Sequence, residues 1–445
     1  MNHVYSRIVL RATLCATLLS GSAIVVADHA AVAAGGPVDG PAIAAARARP
    51  TRTPTATRTP MPTHTPTPTV LPSPTATPTS IPQVCWNVIS NPATSLGDET
   101  RLSGVSGTGP SDVWAVGYYA SNNAWHTLIE HWDGSSWSII PSPDVITTTG
   151  RNAVNVLNAV VAIAPNDAWA VGYDVSLDAP YATLTLHWNG SAWQVVPSPN
   201  PPPSPNTLYN ALLGVSAVSS NDVWAVGGNP FVSSADDTRG ILMHWDGATW
   251  QLFPNPPGTA SWINTNRTSV KAIASNDVWA AGQYSAFHWN GSAWTVPTGF
   301  SGQDIAAIDA SASNNVWSDG THSVPDGNYG FYPSADAQSF NGTTWQSRTP
   351  PDFYDSYFKG ITVLSPTNVW AVGSNFGKTT LTNQWDGSAW HVVGSANANP
   401  NPDINGGNTL QSVTHTSATD LWAVGYYTDN GLSHPRALIE HYVCQ

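Results

Sequence analysis

From residue 84 onward the chain alternates short apolar runs with polar turns, in a unit of about fifty residues that keeps returning. The third copy shows the pattern best. An apolar run at 212–218 is followed by a polar turn ending in Asp222, and a second run, 223–227, contains Trp224. After a longer gap comes a third run, 241–245, then the turn Asp246-Gly247, and a fourth run, 250–253. Runs of this length, rich in aromatic and β-branched residues, predict strands rather than helices. Asp-Gly or Asn-Gly between two such runs is the strongest short-range hairpin signal. It recurs at Asp133-Gly134, Asn189-Gly190, Asn290-Gly291, Asn341-Gly342 and Asp386-Gly387.

The phrase around the strand-two tryptophan counts the copies. It stands at Trp114, Trp169, Trp224, Trp279, Trp317, Trp370 and Trp422, spaced 55, 55, 55, 38, 53 and 52 residues apart. Repeats of this period built from four short strands are the signature of propeller blades. The last copy stops after its third run, 437–443, and the missing fourth stands at the start of the region as 86–90. The expectation is therefore an all-β fold: a seven-bladed β-propeller of four-stranded antiparallel blades over 84–445, closed by an N-terminal fourth strand. Cys85 and Cys444 flank the two strands that meet at this closure, and in an exported protein they are expected to form a disulfide.

The phrase ending at Gly227, the run 214–218 and the aromatic-Asp turn leading to Trp250 resemble a kelch repeat. The resemblance covers 84–445 and implies a propeller sealed by its N-terminal strand. It departs from the family at the glycine pair after strand two, which only Gly227-Gly228 supplies; Tyr118, Tyr173, Gln283, Thr321, Ser374 and Tyr426 stand there in the other copies. The Asp-Gly-x-x-Trp phrase is also similar to the Asp-box turn of sialidase-like propellers. A galactose-oxidase resemblance would imply copper and a Cys-Tyr crosslink, but both body cysteines are assigned to closure.

Composition separates the first eighty residues from the rest. All 21 Trp lie between Trp86 and Trp422. Arg7 and Arg11 precede an uncharged stretch at 12–27, and Ala31-Val32-Ala33 offers a cleavage site, so residues 1–33 read as a secretory signal. An uncleaved anchor is the alternative, although its sixteen residues fall short of the ~20 a spanning helix needs. Residues 34–83 read as a disordered Thr/Pro-rich linker, with Thr-Pro recurring from Thr53-Pro54 to Thr77-Pro78. Its Pro-dense part, in polyproline II at ~3.1 Å per residue, would reach about 100 Å. The expected location is outside the cell, secreted or on its surface, with no membrane insertion once the signal is removed.

Six of the chain's 15 basic residues and two of its 28 acids precede residue 83, leaving nine against 26 in the body, a net charge of −17. Such a body repels nucleic acid and anionic membrane. No cofactor is implied, and the expected state is a monomer.

Nineteen of the Trp fall at three repeated positions and are expected to pack the blades. The repeated His131, His187, His244, His288 and His441 fan out around an axis, so no metal site is expected of them. The repeated acids Asp112, Asp167, Asp222, Asp277 and Asp420 are expected to cap backbone amides in turns. Function is expected where the repeat breaks. The strand one-two and three-four turns are short and alike, whereas the connections on the opposite face vary in length and sequence. Those connections carry Trp125, His126, Tyr181, Trp262, Tyr329, Tyr332, Tyr354 and Tyr357 beside Asp352 and Asp355, with Tyr209, Phe331, Phe353 and Phe358 as further aromatics and Asp236 and Asp237 as further acids. Rings beside carboxylates suit stacking on sugars and bonding to their hydroxyls. The reading is a non-catalytic binding or scaffold module whose partner is a glycan or an extracellular protein. The alternative is a propeller glycoside hydrolase using Asp352 with Asp355, or Asp236 with Asp237. No nucleophile, zinc or phosphate-loop motif stands out.

Overall fold

The computed structural model describes residues 84–443 except 146–152, 176–180, 202–209, 229–239, 255–268, 283–284, 302–303, 327–329, 351–353, 403–405 and 430–433. The expected signal and linker, together with Cys444, Trp262, Tyr329, Asp352, Tyr209, Phe353, Asp236 and Asp237, lie outside the described residues. Among the described residues the fold is all-β, apart from one short 3₁₀ turn at Pro92–Ser95.

Each of the first six repeats folds as four antiparallel strands in sequence order. In the first these are Glu99–Gly109, Asp112–Ser121, Ala124–Trp132 and Trp137–Ile139. It joins the second repeat through one parallel pair, Trp125 with Val154. The architecture is a β-propeller. Its inner strands meet in order, Glu99–Gly109 with Val154–Ala164, then Ala211–Ser219, Ser269–Ala274, Asp304–Ala312, Ser356–Ser365 and Gly407–Ser417, and the last of these meets the first again. They surround an axial cavity of about 460 Å³.

The strand-two phrase has a local cause. Strand one carries a bulge opposite its end, as between Leu102 and Gly104, which presses a carbonyl against strand two. A Cβ on Gly117 would lie 1.9 Å from the Arg101 carbonyl oxygen. One glycine is enough to relieve that approach, and the next position is free to carry Tyr118, Tyr173 or Tyr426.

The core lies between repeats, because an isolated four-stranded sheet cannot bury both faces. Trp114 meets Trp193 of the following repeat edge-on at 5.2 Å, and Trp169 meets Trp250 at 5.3 Å. At the seam Trp422 meets Trp137 at 5.4 Å, and Trp370 meets Trp86 at 5.8 Å. The strand-two and strand-four tryptophans are thus packing residues.

Closure runs through the N-terminal strand Val84–Val88, which pairs antiparallel with Arg436–Tyr442. Trp86 is fully buried there, and Val443 N donates to the Cys85 carbonyl at 2.9 Å.

The repeated acids differ from the expectation. Asp112 Oδ1 accepts from His131 Nε2 at 2.8 Å and from Trp114 Nε1 at 3.1 Å. Equivalent bonds join His187 to Asp167, His244 to Asp222, His288 to Asp277 and His441 to Asp420. These carboxylates tie strand three to strand two through side chains rather than capping turn amides. Capping belongs to the hairpin residues: Asp133 Oδ1 accepts from the backbone N–H of Ser135 and Ser136, and Asn290 and Asp386 do the same in their turns.

Candidate functional site

The variable face carries aromatic side chains in two places. In the first, Trp125 and His126 lie within strand three, not in a loop. The Trp125 ring stacks on buried Tyr118 at 4.5 Å with the planes 7° apart. Tyr118 in turn donates to Glu99 Oε1 at 2.7 Å, and Glu99 pairs with Arg101 at 2.9 Å. His126 Nδ1 bonds Asp144 Oδ2 at 2.7 Å and its ring stacks on Tyr119. Asp144 Oδ1 also accepts the Thr127 amide at 2.8 Å. In the next repeat Tyr181 lies 5.2 Å from Tyr173. These residues are satisfied within the fold, and Trp125 is a lid over a buried Tyr–Glu–Arg network.

The second place, between the fifth and sixth repeats, is different. Tyr332, at the start of strand Phe331–Phe340, lies 4.7 Å from Tyr354, and Tyr354 lies 5.4 Å from Phe376. Phe331, Tyr354 and Phe376 are 64%, 56% and 49% exposed, and they are the exposed large aromatics among the described residues. The other exposed apolar side chains are aliphatic, and Ile139, Val195, Leu252 and Val392 among them sit on short outer strands.

The backbone beneath this ladder is strained. Phe376 has φ +55°, the left-handed region that a bulky side chain rarely adopts, and Asp355, a residue type that tolerates it, has φ +55° as well. At Phe376 it costs on the order of 1–3 kcal/mol and persists only where the surroundings hold it. Here the two residues hold each other: Phe376 N donates to the Asp355 carbonyl at 2.7 Å, and Tyr357 Oη donates to Asp355 Oδ1 at 2.9 Å. The equivalent hairpin of the first repeat uses Asn122 and Asn123 for the same positive φ, a residue type that tolerates it. Nothing in the turn calls for Phe at 376.

Of the predicted residues, the structure brings together Tyr332, Tyr354, Asp355 and Tyr357. It sets Trp125, His126 and Tyr181 elsewhere. Phe358, expected among the loop aromatics, is fully buried 5.8 Å from Trp390, because it lies in strand Ser356–Ser365 on the side facing the core. Phe376 was not predicted, since Asn375-Phe376-Gly377-Lys378 reads as an ordinary hairpin. The usable signal was an aromatic residue in place of Asn at a turn position.

Beneath the ladder the fifth repeat is unusually polar inside. Asp319 and Asp336 are buried, as are Ser334 and Gln338. Asp319 Oδ1 accepts the Ala307 amide at 2.8 Å, and Asp336 Oδ1 accepts from Thr349 at 2.5 Å. Among the described residues no group of three or more His, Cys, Asp or Glu could hold a metal ion.

No family model matches the chain, and no curated protein matches it. Solved structures do resemble it. A structure of YCF48 bound to a D1 peptide is 15% identical over 82% of this chain and all of its own, with a TM-score of 0.48. The extracellular domain of a putative hybrid two-component system from B. thetaiotaomicron is 12% identical over 81% of this chain and 40% of its own, TM-score 0.46. A fucose-specific lectin from Aleuria aurantia is 13% identical over 67% and 95%, TM-score 0.39.

Proposed function

We propose that the protein is an exported, non-catalytic binding module on a seven-bladed propeller, and that it grips a glycan with the ladder Tyr332, Tyr354 and Phe376. One observation carries the reading. Among the described residues the exposed aromatic rings are confined to the variable face of two neighbouring repeats, and the backbone presenting Phe376 adopts a costly conformation that the turn itself does not require. The open rings of Tyr354 and Phe376, with half-buried Tyr332 against Tyr354, suit the apolar faces of sugars, and Asp355 stands beside them as an acceptor for sugar hydroxyls. The closed path of inner strands supports the blade count. The kelch-like reading of the repeat, the secretory signal and the monomeric state rest on the sequence. The backbone bond from Val443 N to the Cys85 carbonyl supports a Cys85–Cys444 disulfide.

Affinity electrophoresis of the purified chain against a panel of soluble polysaccharides tests the proposal, with reducing-sugar release measured in the same samples. Retardation by at least one polysaccharide, abolished by Tyr354→Ala and without release of reducing ends, is the expected result. Release would promote Asp352 and Asp355 to catalytic candidates. No retardation by any polysaccharide would overturn the glycan reading and leave an exported protein as the partner to seek.

A further inference from the structure

Only three lysines occur in the chain, and two of them, Lys271 and Lys359, line the axial cavity of a body whose net charge is −17. Lys271 stands where other repeats place an acceptor for a neighbour's amide. On each inner strand one position lies opposite the strand-two Trp; it is Val161 in the second repeat, whereas in the first and third it is a serine that serves the neighbouring repeat. Ser106 Oγ accepts the Ala162 amide at 3.0 Å, and Ser216 Oγ accepts the Ala272 amide at 3.0 Å. Asp309 does the same in the fifth repeat, accepting from Val363 N at 2.7 Å through Oδ2. A serine meets that requirement, so the charge on Asp309 is more than the ring needs.

Lys271 occupies the same position in the fourth repeat and has no acceptor to offer. Its ammonium meets Asp309 Oδ1 at 2.7 Å. The next two copies of the position carry Thr362 and Thr414, and Thr362 Oγ1 bonds His415 Nδ1 at 2.7 Å. Burial lowers the pKa of His415 and outweighs the opposing pull of Asp309, which favours the neutral ring. Three repeats thus bring a lysine, a carboxylate and a neutral imidazole to one cavity, among serine and threonine hydroxyls. At about 460 Å³ it is the size of an ordinary small-molecule site.

We propose that the axial cavity is a second binding site, distinct from the aromatic ladder, for a small hydroxylated anion whose carboxylate or phosphate displaces Asp309 as the partner of Lys271. Asp309 then acts as a resident counter-ion, holding the ammonium in place while the cavity is free of ligand. The ring hydroxyls and Lys359 supply the remaining donors.

Isothermal titration of the purified chain with glucuronate, inorganic phosphate and glucose tests this. Glucuronate or phosphate binds with a Kd below about 1 mM, and glucose does not. Lys271→Ser installs the residue the first and third repeats already carry at this position, so the fold is retained, and affinity falls at least tenfold. Asp309→Ser keeps an acceptor for the Val363 amide and removes the competing carboxylate, so the anion binds more tightly. Glucuronate without phosphate identifies a carboxylate site, and the reverse identifies a phosphate site. The proposal fails if neither anion binds, if glucose binds as well as glucuronate, or if Lys271→Ser with an unchanged melting temperature retains full affinity. Failure here leaves the aromatic-ladder proposal standing, because none of these residues belongs to it.

Discussion

The first four repeats and the seventh hold strand three to strand two by the same device, a strand-two aspartate bonded to a strand-three histidine. The fifth and sixth do not. There Asn315 and Asn368 replace the acid, and Ser339 and Gln384 stand where the histidine would be. The strand-two tryptophans keep their partner nonetheless, with Trp317 Nε1 donating to Asn315 Oδ1 at 2.9 Å and Trp370 Nε1 to Asn368 Oδ1 at 3.0 Å. The fifth repeat also lengthens its central hairpin, Asn315–Pro325 with Phe331–Phe340, and buries Asp319 and Asp336 in place of apolar residues. The pair that exposes the aromatic ladder is the pair that has exchanged the acid and histidine for neutral residues, with Gln384 Nε2 donating to Asn368 Oδ1 at 3.1 Å in the sixth repeat. A residue found in every copy answers to packing; a departure confined to neighbouring copies marks where another demand is met.

That division can be broken at several points, the largest effect first. Cys85→Ser removes the proposed seal. A disulfide closing a loop of some 360 residues stabilises by on the order of 5 kcal/mol in the chain-entropy account, so equilibrium denaturation should show a loss of that size with polysaccharide binding by the folded protein intact. An equal loss in wild-type protein on adding reductant would confirm the source, and no loss in either would remove the disulfide.

Trp169→Ala in a regular repeat empties a buried interface and should cost about 3–5 kcal/mol, whereas Tyr354→Ala, on the exposed ladder, should leave stability within about 0.5 kcal/mol. Equal costs for the two would erase the distinction between scaffold and site.

A third probe is pH. Glu130 and Glu440 are fully buried, the first accepting from Ala93 N at 3.0 Å and the second from Ser395 Oγ at 2.7 Å. Burial pushes both carboxyls up to about 7. The folded chain therefore holds these protons more tightly than the unfolded chain, so their contribution is complete below about pH 4.5 and is lost as pH rises to about 7. The decline is about 3 kcal/mol per group. The double variant Glu130→Gln and Glu440→Gln should flatten that slope in denaturation curves from pH 4.5 to 7.5; an unchanged slope would mean that other groups set it.

The smallest effect sharpens the comparison most. Phe376→Asn places at the sixth hairpin the residue type the first hairpin uses, relieving strain, and should raise stability by about 1 kcal/mol. Binding should weaken at the same time. If stability falls, the ring is there for packing and the strain argument is wrong.

Much of this was legible in the sequence because it repeats. Strand positions, the hairpin turns, the closing strand and the packing role of the tryptophans all follow from residues that recur at fixed spacing. The aromatic ladder was half legible: Tyr332 and Tyr354 were picked out as ring side chains in variable segments, but Phe376 hid in a hairpin of ordinary composition, and Trp125 and Phe358 could not be told from it by type alone. Burial separates them, and burial depends on strand register. The axial charges were illegible for another reason. Lys271 and Asp309 stand 38 residues apart in different repeats, and only the packing of neighbouring inner strands sets them side by side.

The most direct test of the central claim compares two single variants in one binding assay. Tyr354→Ala should abolish retardation by whichever polysaccharide the wild-type chain binds, and Trp125→Ala should leave it nearly unchanged. The opposite pattern, binding lost with Trp125 and kept without Tyr354, would contradict the account and move the site to the first repeat.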